Sequence, residues 1–169
     1  AIREKKIHIV GTPELKIEGT PVFFDVEGLP DREFYYLIGL WVKTADGFIQ
    51  RSFWADDFGA EKKIWADFLA AIMEIEKPVL IHYGSFETAF LRKMCKRYGE
   101  LPEGSPAAVA IKSAINLLSS IYAQIYFPTY SNSLKDVGAW IGCKWSSMNP
   151  SGVQSILWPY AISATWIQG

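Results

Sequence analysis

The segment Phe-Phe-Asp-Val-Glu at residues 23–27 constrains this chain more than any other. Its residues favour a buried β-strand apart from two carboxylates, and side chains two positions apart on a strand lie on the same face. Asp25 and Glu27 are therefore predicted to point the same way and to repel each other. Hard divalent cations such as Mg²⁺ or Mn²⁺ prefer oxygen ligands and offset such charge, so the segment predicts a metal site on a core strand. The alternative is that one carboxylate is exposed at the strand end and the other caps the turn at residues 28–31.

Composition favours a single globular domain. The chain has 169 residues, of which 50% are hydrophobic and 21% are charged. A formal net charge of −1 gives no overall basic field, so any binding of nucleic acid would depend on local patches such as Lys62–Lys63 and residues 92–97. Patches of this kind are also typical of solvated helix faces.

Cysteine usage and hydropathy indicate a reducing, aqueous environment. Cys95 and Cys143 are far apart and match no zinc or redox spacing. No segment approaches the roughly 20 apolar residues of a membrane span. We therefore expect a cytoplasmic protein that does not contact a membrane.

Hydrophobic periodicity predicts an α/β fold in which a mixed sheet, including an antiparallel hairpin, is flanked by helices. We expect residues 1–20 to be a peripheral segment and residues 21–169 to form the domain. The first strand is expected to be buried on both faces because its apolar run is continuous. Asp46-Gly47 predicts the hairpin turn, since glycine readily adopts positive φ. The predicted strands are 21–27, 35–43, 47–54 and 78–82, and the predicted helices are 60–76, 86–98, 113–125, 133–141 and one within 151–168 that begins or bends at Pro159.

Three motifs follow one another in this order of elements. The first is Asp25-Val26-Glu27. The second runs from His82 to Glu87, where a strand closes and a helix opens with an aromatic residue and an acid. The third is Tyr130-Ser-Asn-Ser-Leu-Lys-Asp136, followed by Gly142-Cys-Lys-Trp145 and Ser151-Gly152. Together they resemble the RNase H-like exonucleases of the four-carboxylate DEDD group, most closely the YprB-like subset that is often found with RecB-family nucleases.

This resemblance implies an RNase H-like domain that hydrolyses phosphodiester bonds of DNA or RNA, from a 3′ end. It implies that Asp25, Glu27 and Glu87 are catalytic and bind Mg²⁺ or Mn²⁺. By the same resemblance His82, Phe86 and Lys135 would contact the substrate. The alternatives are that His82 only makes a hydrogen bond within the protein and that Lys135 is an ordinary solvated lysine. The implied partners are nucleic acid and a RecB-family nuclease or helicase domain.

The sequence departs from the DEDD pattern in two places. Glu87 stands where the group normally has Asp, and its extra methylene gives it a different path to a metal or a bound water. The group's last motif, Tyr-x-x-x-Asp or His-x-x-x-Asp, is not found in residues 150–169. We therefore expect a domain that lacks its last helix, holds metal weakly and cuts poorly.

Two further expectations follow from these departures. Asp136 is interpreted as a first-turn acid favoured by the helix dipole, and not as the substitute for the missing carboxylate. The alternative to a nuclease is a non-catalytic RNase H-like module that uses the same cleft to bind nucleic acid or a partner nuclease domain.

Overall fold

The computed structural model of the protein describes residues 1–143. The helix predicted within 151–168 and the segment Ser151-Gly152 lie outside the described residues.

A five-stranded mixed sheet, in the order β4-β3-β2-β5-β6, forms the centre of the fold. Neighbouring strands among β4, β3 and β2 are antiparallel, whereas β2, β5 and β6 run parallel to one another. A separate antiparallel pair joins β1 to β7. The strands are β1 (His8–Ile9), β2 (Thr20–Leu29), β3 (Phe34–Thr44), β4 (Gly47–Trp54), β5 (Pro78–His82), β6 (Ile115–Asn116) and β7 (Ile125–Tyr126). The helices are α1 (Phe58–Met73), α2 (Phe86–Tyr98), α3 (Pro106–Lys112), α4 (Leu117–Ile121) and α5 (Leu134–Trp140), with a 3₁₀ turn at Pro30–Arg32.

This arrangement confirms the predicted fold class, a mixed sheet with an antiparallel hairpin and flanking helices. The predicted bounds of β5 and α2 coincide with the observed ones, and α5 begins after an N-cap at Ser133, whose Oγ accepts from the Asp136 amide. No helix of residues 1–143 is long and apolar enough to cross a membrane.

The prediction of a helix over residues 113–125 is wrong. That stretch holds β6, the short helix α4 and the start of β7, and the helix α3 just before it was not predicted. The spacing of the apolar residues in this stretch is compatible with both a helix and a strand. Pairing of β6 with β5 selects the strand, because it adds the last strand at that edge of the sheet. Ser105 caps α3 and Pro106 occupies its first turn, which is a recognisable helix start.

One face of the sheet carries the hydrophobic core. Side chains from β2, α1 and α2 interdigitate there, with Val22, Phe68 and Phe90 fully buried. The opposite face of β2 is more open, since Phe23 is 37% exposed. The expectation that β2 is buried on both faces is therefore wrong for the part of the chain that the structure describes: the strand alternates, with Val22, Phe24 and Val26 directed to the core.

Candidate active site

Asp25 lies on the open face of β2, the central strand, next to the point where the parallel strand β5 ends. Phe23 is paired with Ile81 of β5, and β5 ends one residue later at His82. Glu27 lies further along the same face of β2, just before a β-bulge between Glu27 and Gly28. Bulges increase local twist and are common beside active sites, because they redirect side chains at the end of a ladder. Both acids therefore lie at the edge where β5 connects to α2.

Glu87 reaches this edge from the first turn of α2. The helix begins at Phe86 directly after the loop that follows β5, so its second residue faces back toward the strand ends. The residue is buried, with 5% of its surface exposed, and its carboxyl group is within hydrogen-bonding distance of Asp25. The position favours an acid because the N-terminus of a helix carries partial positive charge. Two residues about sixty positions apart in the sequence are thus in contact.

Burial and neighbouring charge raise the pKa of Asp25 and of Glu27. Desolvation, followed by the charges of Glu27 and Glu87, raises the pKa of Asp25 from its usual 3.8 to about 6, although its hydrogen bond with the Val26 backbone acts in the opposite direction. Desolvation and the charge of Glu87 also raise the pKa of Glu27, and the ammonium of Lys135 partly offsets this increase. Two carboxyl groups within hydrogen-bonding distance must share a proton or a cation. The site is therefore one whose charge favours the binding of a cation.

His82 lies beneath the carboxylates, on the core side. Its side chain is 2% exposed, its ring packs edge-on against Phe24 at 5.4 Å, and Nδ1 lies 3.5 Å from Glu87 Oε2. Neither His82 Nδ1 nor Glu87 Oε2 has a hydrogen-bond partner in the structure. Nε2 of the ring lies 3.4 Å from the Thr88 hydroxyl. Burial of this kind suits a residue that orients Glu87 better than one that touches a substrate.

Phe86 and Lys135 flank the carboxylates and are accessible. Phe86 is 37% exposed, and its ring contacts that of Tyr35 edge-on at a centroid distance of 5.9 Å. Lys135, in the first turn of α5, is an exposed residue whose charge acts on Glu27. An ammonium beside an acidic site can contact a phosphate that is bound there. Both residues are thus placed where a substrate could reach them.

Two residues that sequence analysis missed hold the loop of the site. The side-chain oxygen of Asn116 accepts hydrogen bonds from the backbone of Gly84, at 3.0 Å, and of Leu118, at 3.1 Å. The Tyr83 hydroxyl donates to the Asn132 carbonyl at 2.5 Å and so joins the β5–α2 loop to the segment before α5. Asn116 could have been recognised from its N-cap position before α4. Tyr83 lies within the second motif, but nothing in the sequence indicates its contact with Asn132.

Asp136 makes local contacts at the start of α5. Its carboxylate accepts a hydrogen bond from the Ser131 hydroxyl, and its own amide donates to Ser133 Oγ at 3.1 Å. This pattern supports the interpretation of Asp136 as a helix-start residue.

The residues present fit a hard divalent cation. Oxygen ligands from Asp25, Glu27 and Glu87 are the type that Mg²⁺ and Mn²⁺ prefer, and Glu87 Oε2 is buried without a hydrogen-bond partner. Within residues 1–143, however, no group of three or more His, Cys, Asp or Glu side chains already has the arrangement of a metal site. Binding of a cation by these three acids would therefore require a rearrangement of the site.

A family model described as the RNase H superfamily matches residues 22–162. This match spans most of the chain, and it agrees with the mixed sheet and with carboxylates at the end of its central strand. The chain belongs to the RNase H superfamily. No curated protein and no solved structure matches the chain significantly. Membership supports a nuclease-like module that acts on nucleic acid, and nucleases of this superfamily generally use divalent metals.

Proposed function

We propose that this domain is a metal-dependent nuclease that hydrolyses phosphodiester bonds of DNA or RNA. The observation that carries the proposal is the contact between the Asp25 and Glu87 carboxyl groups, with the charge of Glu27 acting on Asp25 and the charge of Glu87 acting on Glu27. Such crowding raises the pKa of an acid and has no evident structural benefit, so it points to function. Superfamily membership supports the substrate class.

In this proposal Asp25, Glu27 and Glu87 hold Mg²⁺ or Mn²⁺. When bound, such ions activate a water and stabilise the leaving oxygen of a phosphodiester. His82, whose ring packs edge-on against Phe24, limits the space into which the Glu87 side chain can turn. Lys135 binds a phosphate oxygen of the substrate, and Phe86 offers an aromatic edge to a terminal base.

The finer assignments are part of the same proposal. The motifs around Glu87 and Tyr130 support a DEDD-type 3′–5′ exonuclease of the YprB-like subset, with a RecB-family nuclease or helicase domain as partner. The domain boundary at residue 21 is also proposed, since the family match begins at residue 22.

The test uses the full-length protein and end-labelled DNA and RNA oligonucleotides with Mn²⁺, Mg²⁺ or EDTA. We expect metal-dependent cleavage that Asp25→Asn and Glu87→Gln each lower at least 100-fold, as expected when groups that stabilise a transition state are lost. Glu103→Gln is the matched control because Glu103 is an exposed acid outside the site. Cleavage that survives Asp25→Asn would refute the assignment of the site.

The alternative function is a non-catalytic module that binds nucleic acid or a partner domain. The observation in its favour is that residues 150–169 contain no Tyr or His followed four places later by an acid. It predicts oligonucleotide binding that is unaffected by Mn²⁺ and is accompanied by no cleavage. The same assay, with binding measured beside product formation, separates the two functions.

A further inference from the structure

A cavity outside the candidate active site lies between the N-terminal segment and the loop that leads into α5. It has a volume of about 530 Å³. Strand pairing joins its two sides, since His8 and Ile9 of β1 pair with Tyr126 and Ile125 of β7. The Val10 amide extends this ladder by donating to the Gln124 carbonyl at 2.8 Å. The lining residues are Ala1, Ile2, Arg3, Glu4, Tyr126, Phe127, Thr129, Tyr130, Ser131 and Asn132.

The lining combines accessible aromatic rings with a cationic side chain. Tyr130 is 96% exposed and Tyr126 is 47% exposed. An aromatic ring this exposed contributes nothing to the core, and it offers a face on which a base can stack. Arg3 supplies a planar guanidinium that suits phosphate. Glu4 is acidic, but its carboxylate lies 3.0 Å from His8 Nε2 and so has a partner within the segment.

The cavity is joined to the candidate active site through one short segment. Asn132, which lines the cavity, accepts the hydrogen bond from Tyr83 in the loop of the site. Lys135 follows three residues later and acts on Glu27. A chain of nucleotides that leaves the carboxylates along this segment would therefore meet Tyr130 and Arg3.

We propose that the cavity is a binding site for single-stranded nucleic acid, in which a base stacks on Tyr130 and Arg3 binds a backbone phosphate. It holds nucleotides beyond the one at the carboxylates, so the segment 1–20 takes part in substrate binding. This inference rests on the proposed function, because the orientation of the strand follows from cleavage at Asp25 and Glu87.

The test measures fluorescence anisotropy of labelled DNA and RNA decamers and of a dinucleotide, in EDTA, with the full-length protein. We expect Tyr130→Ala to weaken binding of the decamers about tenfold, because the variant removes the ring on which one base stacks. Tyr130→Phe should bind like the wild type because the ring is retained. Binding of the dinucleotide should be unchanged.

Tyr122→Ala is the matched control, because Tyr122 is 72% exposed and lies outside the lining. Arg3→Gln should weaken binding of the decamers and reduce its dependence on salt. Wild-type affinity in Tyr130→Ala, or an equal loss in Tyr122→Ala, would overturn this inference and leave the proposed nuclease intact. Conversely, loss of binding in Tyr130→Ala with cleavage that survives Asp25→Asn would overturn the proposed active site and keep the cavity as a binding surface.

Discussion

Asp25→Asn should make the metal-free protein more stable at neutral pH. Desolvation, followed by the nearby charges of Glu27 and Glu87, raises the pKa of Asp25 from 3.8 to about 6. The folded state therefore holds more protons than the unfolded state between these values, and the free energy of unfolding falls as pH rises through about 4 to 6. Asparagine has nearly the same shape and carries no charge, so it removes this penalty.

The magnitude follows from the size of the pKa shift. Two pKa units correspond to about 3 kcal/mol when they are fully realised. Neighbouring groups desolvate Asp25 only in part, because some of its surface stays exposed; solvent therefore weakens both the desolvation and the repulsion, and we expect about 1 kcal/mol above pH 6. For a domain of this size that is a rise of about 2–4 °C in Tm.

The assay is thermal unfolding by circular dichroism in EDTA at pH 4, 5 and 7. The variant and the wild type should melt together at pH 4 and separate at pH 7. Millimolar Mn²⁺ should then stabilise the wild type more than the variant, because a ligand that binds only the native state shifts the equilibrium toward it. Glu103→Gln controls for a general effect of charge. A variant less stable than the wild type at pH 7 in EDTA, or an equal Mn²⁺ shift in both proteins, would refute the reasoning.

Two predictions concern the scaffold around the site. Glu61 is fully buried on α1 and accepts hydrogen bonds from the Arg97 guanidinium and the Tyr98 hydroxyl. Glu61→Gln should therefore lower the free energy of unfolding, measured by urea titration, by about 2 kcal/mol. A decrease below about 0.5 kcal/mol would contradict this prediction. Gly28→Ala should lower Tm and cost about 1–3 kcal/mol of stability, because the new Cβ would lie 2.8 Å from backbone and side-chain atoms of β3. Gly39→Ala is the control and should melt like the wild type, because its Cβ would have its nearest neighbour at 3.9 Å. Equal Tm values for the two variants would refute the packing argument.

The position of Glu61 shows where sequence reasoning reaches its limit. A helical acid in a first turn is ordinarily solvent-exposed, and nothing in the pattern predicts that Glu61 is fully buried. Its burial depends on the Tyr35 amide of β3, which donates to Glu61 Oε1 at 2.8 Å, and on α2, which supplies Arg97 and Tyr98. These partners come from two elements other than α1, and only the packed structure brings them together.

The local sequence pattern by itself determined several of the strands and helices. Strand periodicity placed Asp25 and Glu27 on the same face, the Asp46-Gly47 turn set the hairpin, and the apolar stripes fixed α1 and α2 to within a few residues. Residues 106–126 were misassigned because each element there is short, and pairing with β5 and β1 decides its conformation.

Tertiary structure alone decided which acids meet. Asp25 and Glu87 are in contact because β5 pairs in parallel with β2 and α2 begins just beyond the end of β5. Parallel pairing joins segments that are distant in the sequence, so no local pattern encodes it. The burial of His82 against Phe24 and the joining of residues 1–10 to the loop before α5 are likewise products of packing. The sequence determined the chemistry of the side chains and their direction along each strand, whereas the distances between elements came from the minimisation of exposed apolar surface over the whole chain.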